Sequence, residues 1–180
     1  MLVKEEMQMK YYSLEDNNLL IRTITEADIE SIRKWRNQDH IRKYFINSNY
    51  INKKQQEEWF ESYLKTDNDI MFIVEETIEF HTTIGTVALY NINREKKHAE
   101  FGRLMIGYLP SAGKGFGKRT ALLACKFAFE ILNVSEIYLT VLNQNNKAKQ
   151  LYADIGFVIR DNNANEIYMT LSKERFLNPS

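Results

Sequence analysis

The sequence predicts an α/β chain, of the α+β kind, built on one mixed, mostly antiparallel, twisted sheet of about seven strands with about four helices on its two faces. Three observations predict it. Strand-like runs at Ile70 to Val74, Ile84 to Tyr90 and Ala99 to Ile106 follow one another with polar connections, which makes a meander. The amphipathic stretch Arg119 to Leu132 then leads into the β-branched, apolar run Glu136 to Val141. If that helix is a right-handed crossover, the strands on either side of it are parallel. Finally, Trp59, Phe60, Tyr63 and Leu64 fall on one helical face, and Ala148, Leu151, Tyr152 and Ile155 on another.

Taken in order, residues 1–18 read as an N-terminal extension outside the core, and residues 19–175 as a single domain. Leu19 to Ile24 alternates enough for a first strand. Thr25-Glu26-Ala27-Asp28 has the form of a capping box, with Ile29, Ile32 and Trp35 following at helical spacing and an end near Asn37. A second helix is capped within Asn52 to Gln55. Two short strands, near Phe157 to Arg160 and Glu166 to Leu171, finish the chain.

Composition bounds the function. A chain of 180 residues, 44% hydrophobic and 27% charged, is long enough to bury one core without staples. Lys+Arg and Asp+Glu are equal at 24 each, so no global field draws in nucleic acid or an acidic membrane. The single cysteine, Cys125, has no internal disulfide partner and sits among apolar helix residues as a small hydrophobe. Three scattered histidines offer no metal-ligand spacing, so no metal is expected. No apolar run of ~18 residues is present, and the first residues do not form a signal peptide. The expected location is cytoplasmic.

The most informative stretch is Gly113-Lys114-Gly115-Phe116-Gly117-Lys118, three glycines at alternate positions in the turn that opens the long helix. Glycine admits φ > 0 and lets a ligand approach main-chain N–H groups with no Cβ in the way. Those first N–H groups lack partners inside the helix, and the helix dipole adds positive charge. A phosphate satisfies both, and Lys114 and Lys118 add formal charge. The spacing fits neither a P-loop nor a dinucleotide-binding fingerprint.

The string Ala112-Gly113-Lys114-Gly115-Phe116-Gly117 resembles the pyrophosphate loop of the GNAT N-acetyltransferases, Gln/Arg-x-x-Gly-x-Gly/Ala, with Ala112 in place of the Gln or Arg. About thirty residues on, Asn145 to Phe157 is similar to that family's Asn-x-x-Ala-x-x-Leu-Tyr-x-x-x-Gly-Phe segment. The element order from Leu19 to Leu171 also matches the family's order. The resemblance implies a parallel, splayed pair of strands in the middle of the sheet, with acetyl-CoA as cosubstrate held between them. Main-chain groups of Leu104, Met105 and Ile106 would pair with the pantetheine arm, Ala112 to Lys118 would hold the pyrophosphate, and Asn145 would be a helix cap, a cofactor contact or both.

Acetyl transfer to an amine needs a held cofactor, a neutral amine, a stabilised oxyanion and a protonated leaving thiolate. The resemblance makes Tyr152 the general acid; taken without it, Tyr152 reads as a core tyrosine. Glu100, a carboxylate in an otherwise apolar strand, is the candidate base, directly or through water. The structural alternative is a pair with Arg103 or His98. Strand alternation places Glu100 with His98 and Arg103 on the other face, barring a bulge.

The acceptor is expected between Trp35 and Trp59. Trp35-Arg36-Asn37 and Trp59-Phe60 resemble the branch acting on nucleotide-linked amino sugars, with Arg36, Arg42 and Lys43 placed to meet a diphosphate and Trp35 and Trp59 to stack. Both tryptophans read equally as core anchors. Acetyltransferases of protein N-termini (the ribosomal-protein branch), polyamines and aminoglycosides share the layout. A degenerate domain that binds without turnover is the non-enzyme alternative. A homodimer through an exposed edge strand is compatible with the pattern.

Overall fold

A computed structural model describes residues 11–178. Its sheet has eight strands in the order β1-β2-β3-β4-β5-β6-β8-β7. They are β1 (Ser13–Asp16), β2 (Leu19–Thr23), β3 (Ile70–Glu76), β4 (Thr82–Asn93), β5 (His98–Ile106), β6 (Glu136–Leu142), β7 (Val158–Asn162) and β8 (Glu166–Ser172). Every neighbouring pair is antiparallel except β5 and β6. The helices are α1 (Ile29–Arg36), α2 (Asp39–Arg42), α3 (Lys53–Tyr63), α4 (Phe116–Glu130), α5 (Asn146–Ile155) and α6 (Lys173–Leu177). Of these, α1, α3, α4 and α5 have eight or more residues.

The sheet starts earlier than the sequence suggests. Ser13–Asp16 of the expected extension pairs with Leu19–Arg22 across a tight turn, so it belongs to the sheet. Three of its four residues are polar and exposed and only Leu14 is apolar and half-buried, too short a run to show alternation, which is why it does not read as a strand. Residues 1–10 of the expected extension lie outside the described residues.

Caps fix the helix starts where the residue types demand it. Thr25 and Asp28 form the capping box reciprocally, and Asp28 also receives both terminal nitrogens of Arg22, at 2.8 and 3.0 Å. The side-chain oxygens of Asn52 and Gln55 each accept from the other's main-chain N–H at 2.9 Å at the start of α3. Such caps are each worth about 1 kcal/mol. α4 begins at Phe116, earlier than the apolar pattern indicates, because Gly115 caps it in a left-handed conformation (φ 81°).

The two sheet faces carry separate cores. One packs α4 and α5 against β2 to β6 and β8 around Phe72, Phe101, Phe127 and Phe129, with Cys125 fully buried as expected. The other packs α1 and α3 around Ile32, Trp35, Phe60 and Met105. No helix among the described residues is long and apolar enough to cross a membrane.

Candidate active site

Two main-chain irregularities shape the site. The parallel pairing of β5 with β6 covers only His98, Ala99 and Glu100 against Glu136, Ile137 and Tyr138. Beyond Glu100 the strands diverge, leaving the edges of residues 101–106 and 139–142 facing one another unpaired. The second irregularity is a bulge. Ala88 pairs with Gly102 and Thr86 with Met105, and Arg103 takes φ 50°. A left-handed conformation costs a non-glycine residue about 1–2 kcal/mol. The Thr86 hydroxyl donates to the Arg103 carbonyl at 2.7 Å and holds the bulge.

The bulge overturns the alternation expected for β5. Arg103 lies over the Tyr90 ring at 4.5 Å, and the Tyr90 hydroxyl donates to Glu100 at 3.1 Å, so both side chains reach one tyrosine on one face. The expected pair of Glu100 with Arg103 or His98 does not form. Arg103 instead makes two bonds to Asp69, at 2.8 and 2.9 Å, and Asn91 donates to Glu100 at 2.7 Å. His98 packs edge-on against Tyr138.

At the opening of α4, Gly113 and Gly115 have φ 77° and 81°, and a Cβ at either would meet nothing within 4 Å. Within this span the glycines satisfy a positive φ and leave open space. None of the main-chain N–H groups from Gly113 to Lys118 has a partner among the described residues. Six consecutive free donors at a helix N-terminus make an anion cradle. A Cβ on Gly117 would lie within 4 Å of Ile106 and Leu151, so the end of β5, the start of α4 and the middle of α5 converge there.

The side chains of this loop differ from expectation. Lys114 is paired with Glu79 and Lys118 lies 3.8 Å from Asp154, so neither charge stands free. Phe116 is buried in the core and contributes only its main chain. Ala112 is exposed and extended, closing the short 3-10 turn at Leu109–Ser111. Asn145 caps α5 by accepting from Ala148 N at 3.1 Å. Leu104 and Ile106 pack toward the α4 side and Met105 toward α1.

Tyr152 is 9% exposed, with Phe101 and Phe157 each 5.7 Å away, ring to ring. Phe101 is the first β5 residue past the last paired one, so Tyr152 lies beneath the point where the strands part. Burial, with the Cys125 thiol adding to it, pushes its phenol above the ordinary tyrosine value.

Next to β5, on the α1 side, lies a cavity of about 380 Å³ whose lining includes Arg36, Phe45, Tyr50, Trp59, Arg103 and Met105. Among the described residues no carboxylate lines it. Arg36 stacks on Phe45 at 3.7 Å and donates to the Asn47 carbonyl, while its buried Nη1 has no partner among the described residues. Desolvation, with Arg42 adding to it, holds the Arg36 guanidinium below its ordinary value. Trp59 stacks on Tyr63.

Three expected acceptor residues are elsewhere. Trp35 is a core side chain packed on Gly107, where any Cβ would collide with its ring at 2.0 Å. Asn37 exchanges bonds of 2.7 and 2.8 Å with the Ile51 main chain and so pins the cavity rim. Arg42 pairs with Asp39 at 2.7 Å on the surface and does not line the cavity.

The fold agrees with what known proteins show. Residues 18–158 match the family model described as an acetyltransferase (GNAT) domain. The chain belongs to the GNAT acetyltransferases. It is 30% identical over 143 residues to the spermidine N(1)-acetyltransferase of Vibrio cholerae, covering 79% of this chain and 80% of that one. It is 29% identical to the acetyltransferase PseH of Campylobacter jejuni, over 83% and 89% of the two chains. A crystal structure of the Vibrio cholerae spermidine N-acetyltransferase in complex with CoA and spermine superposes with a TM-score of 0.81, at 28% identity over 91% of this chain and all of that one.

This GNAT enzyme takes acetyl-CoA as cosubstrate, and the residues present fit it. The free N–H run suits a pyrophosphate, the missing Cβ atoms leave room for it, and the unpaired edge of β5 suits an amide-bearing arm. Sequence reasoning missed Asp69 and Tyr90 as neighbours of the site and, although it set the acceptor between Trp35 and Trp59, singled out no residue from 46 to 51. A basic residue in the middle of apolar β5 was the available signal for Arg103.

Proposed function

We propose that this enzyme acetylates the primary amine of a nucleotide-linked amino sugar. The observation that carries the reading is the cavity beside β5, which presents two arginines, aromatic rings and amides but, among the described residues, no carboxylate. A polyamine carries several positive charges and calls for acidic partners. A nucleoside diphosphate carries negative charge that a guanidinium meets with parallel hydrogen bonds, and its base and sugar stack on aromatic rings. Arg36, with an unpartnered Nη1, takes the role the sequence had also given to Arg42.

Acetyl-CoA supplies the activated acetyl thioester. Leu104, Met105 and Ile106 offer main-chain groups along the unpaired edge of β5, and an N–H there donates to the thioester oxygen as charge develops. Gly113 to Lys118 hold the pyrophosphate on their N–H groups, that of Ala112 being bonded to the Leu109 carbonyl, with Asn145 fixing the start of the neighbouring helix. The amine attacks, its nitrogen–carbon bond forms, and the carbon–sulfur bond breaks. Glu100 takes the amine proton through water, since it does not itself line the cavity. Tyr152, protonated because its phenol is raised, donates to the departing thiolate.

The test is kcat/KM for a UDP-linked 4-amino sugar against spermidine, an aminoglycoside and an N-terminal peptide. The sugar nucleotide is expected to win by tenfold or more. A tenfold preference for spermidine or the peptide would overturn the acceptor assignment and leave acetyl transfer standing.

A further inference from the structure

The turn between β3 and β4 is built around one buried carboxylate. Glu76 is fully inaccessible and accepts four donors: the Asn18 side-chain amide and Ile78 N on Oε1, Glu79 N (2.8 Å) and Phe80 N (2.6 Å) on Oε2. Burial alone would raise its pKa, but the N–H of Phe80, the Asn18 amide and the N–H groups of Ile78 and Glu79 together hold it below the ordinary carboxylate value. The main chain adds Thr77 N to Asn18 O at 2.9 Å, tying this turn to the β1–β2 turn. Such a cluster fixes the directions of residues 78–80 and therefore of the side chains that leave them.

Those side chains lie on the cofactor loop. Glu79 pairs with Lys114. The Phe80 ring meets Tyr108, ahead of the loop, edge-on at 5.5 Å and Phe116, within it, at 6.4 Å, with the Lys114 ammonium over its face at 4.8 Å. One aromatic ring thus contacts two side chains of the segment that carries the free N–H run and one on its approach. Gly113 and Gly115, by contrast, have no side chains with which to hold their own conformation. We propose that Glu76 is a positioning residue for acetyl-CoA: by locking the β3–β4 turn it presents Glu79 and Phe80 as a brace that holds the 113–118 cradle open to the pyrophosphate. Glu76 touches neither cosubstrate nor acceptor and acts only through that turn.

The discriminating substitution is Glu76→Gln, because all four contacts to the carboxylate are donors. A glutamine amide would turn its NH₂ toward two N–H donors, and half of the cluster would be lost. Calorimetry with CoA is expected to show affinity for Glu76→Gln weaker by about tenfold. KM for the acceptor at saturating acetyl-CoA should stay within twofold of wild type. Should Glu76→Gln not fold, Phe80→Leu removes the brace while leaving the carboxylate cluster intact, and the same weakening of CoA affinity is expected with the main chain undisturbed. A purely structural role would lower the melting temperature and the active fraction yet leave the CoA dissociation constant of the folded protein unchanged. An unchanged constant in the folded variants overturns the proposal.

Discussion

The cofactor side and the acceptor side of β5 are built by opposite means. On the cofactor side the functional groups are main-chain N–H donors of six consecutive residues, and the side chains serve mainly by being absent. On the proposed acceptor side the groups are guanidinium, indole, phenol and amide side chains drawn from α1, the 45–51 segment, α3 and β5. The first arrangement recognises a chemical class that every acetyl-CoA-dependent enzyme shares. The second is free to change with each substitution, which is where relatives of one fold can differ in acceptor. Arg103 illustrates the contrast: its left-handed backbone is held by Thr86, and its head by Asp69, to place one charge beside the cavity.

Breaking the chemistry between the two sides should have the largest effect. Tyr152→Phe is expected to lower kcat by ~10²–10⁴-fold with little change in acetyl-CoA affinity, since only a proton donor is removed. Because burial raises the phenol, loss of activity through ionisation of Tyr152 should lie above pH ~10 in a pH–rate profile. Unchanged kcat with a lower melting temperature would return Tyr152 to the core-tyrosine reading.

A break on the cofactor side comes next. Gly115→Val puts a branched side chain at φ 81° and into the space the cradle leaves open, so acetyl-CoA affinity should fall at least ~10-fold, measured by calorimetry. The acceptor KM at saturating acetyl-CoA should hold. If the cradle binds no phosphate, affinity will survive in the folded variant.

The acceptor side is sharpened by a pair of arginines only six positions apart in sequence. Arg36→Ala should raise KM for a sugar nucleotide by ~10–100-fold, the weight of a charge-assisted hydrogen bond, with acetyl-CoA affinity unchanged. Arg42→Ala should change stability by no more than ~1 kcal/mol and acceptor KM within twofold, because its partner is an exposed aspartate. Equal effects from both would mean that the cavity is not the acceptor site.

Much of the fold follows from local rules that the sequence carries in the open. Apolar periodicity marks the central strands and four longer helices, Thr25 to Asp28 and Asn52 to Gln55 mark their caps, and the alternate glycines mark the cradle, because a main-chain site needs only a contiguous stretch of the right conformations. Tertiary structure decided the rest. β1 is a strand only because β2 offers it an edge. The bulge at Arg103 arises from pairing with β4, and it reversed the face that simple alternation assigns. Trp35, Arg36 and Arg42 look alike as neighbours in a basic, aromatic segment, yet Gly107 draws the first into the core, the cavity takes the second, and Asp39 holds the third at the surface. Side-chain sites depend on which distant surfaces meet, and a linear pattern does not contain that meeting.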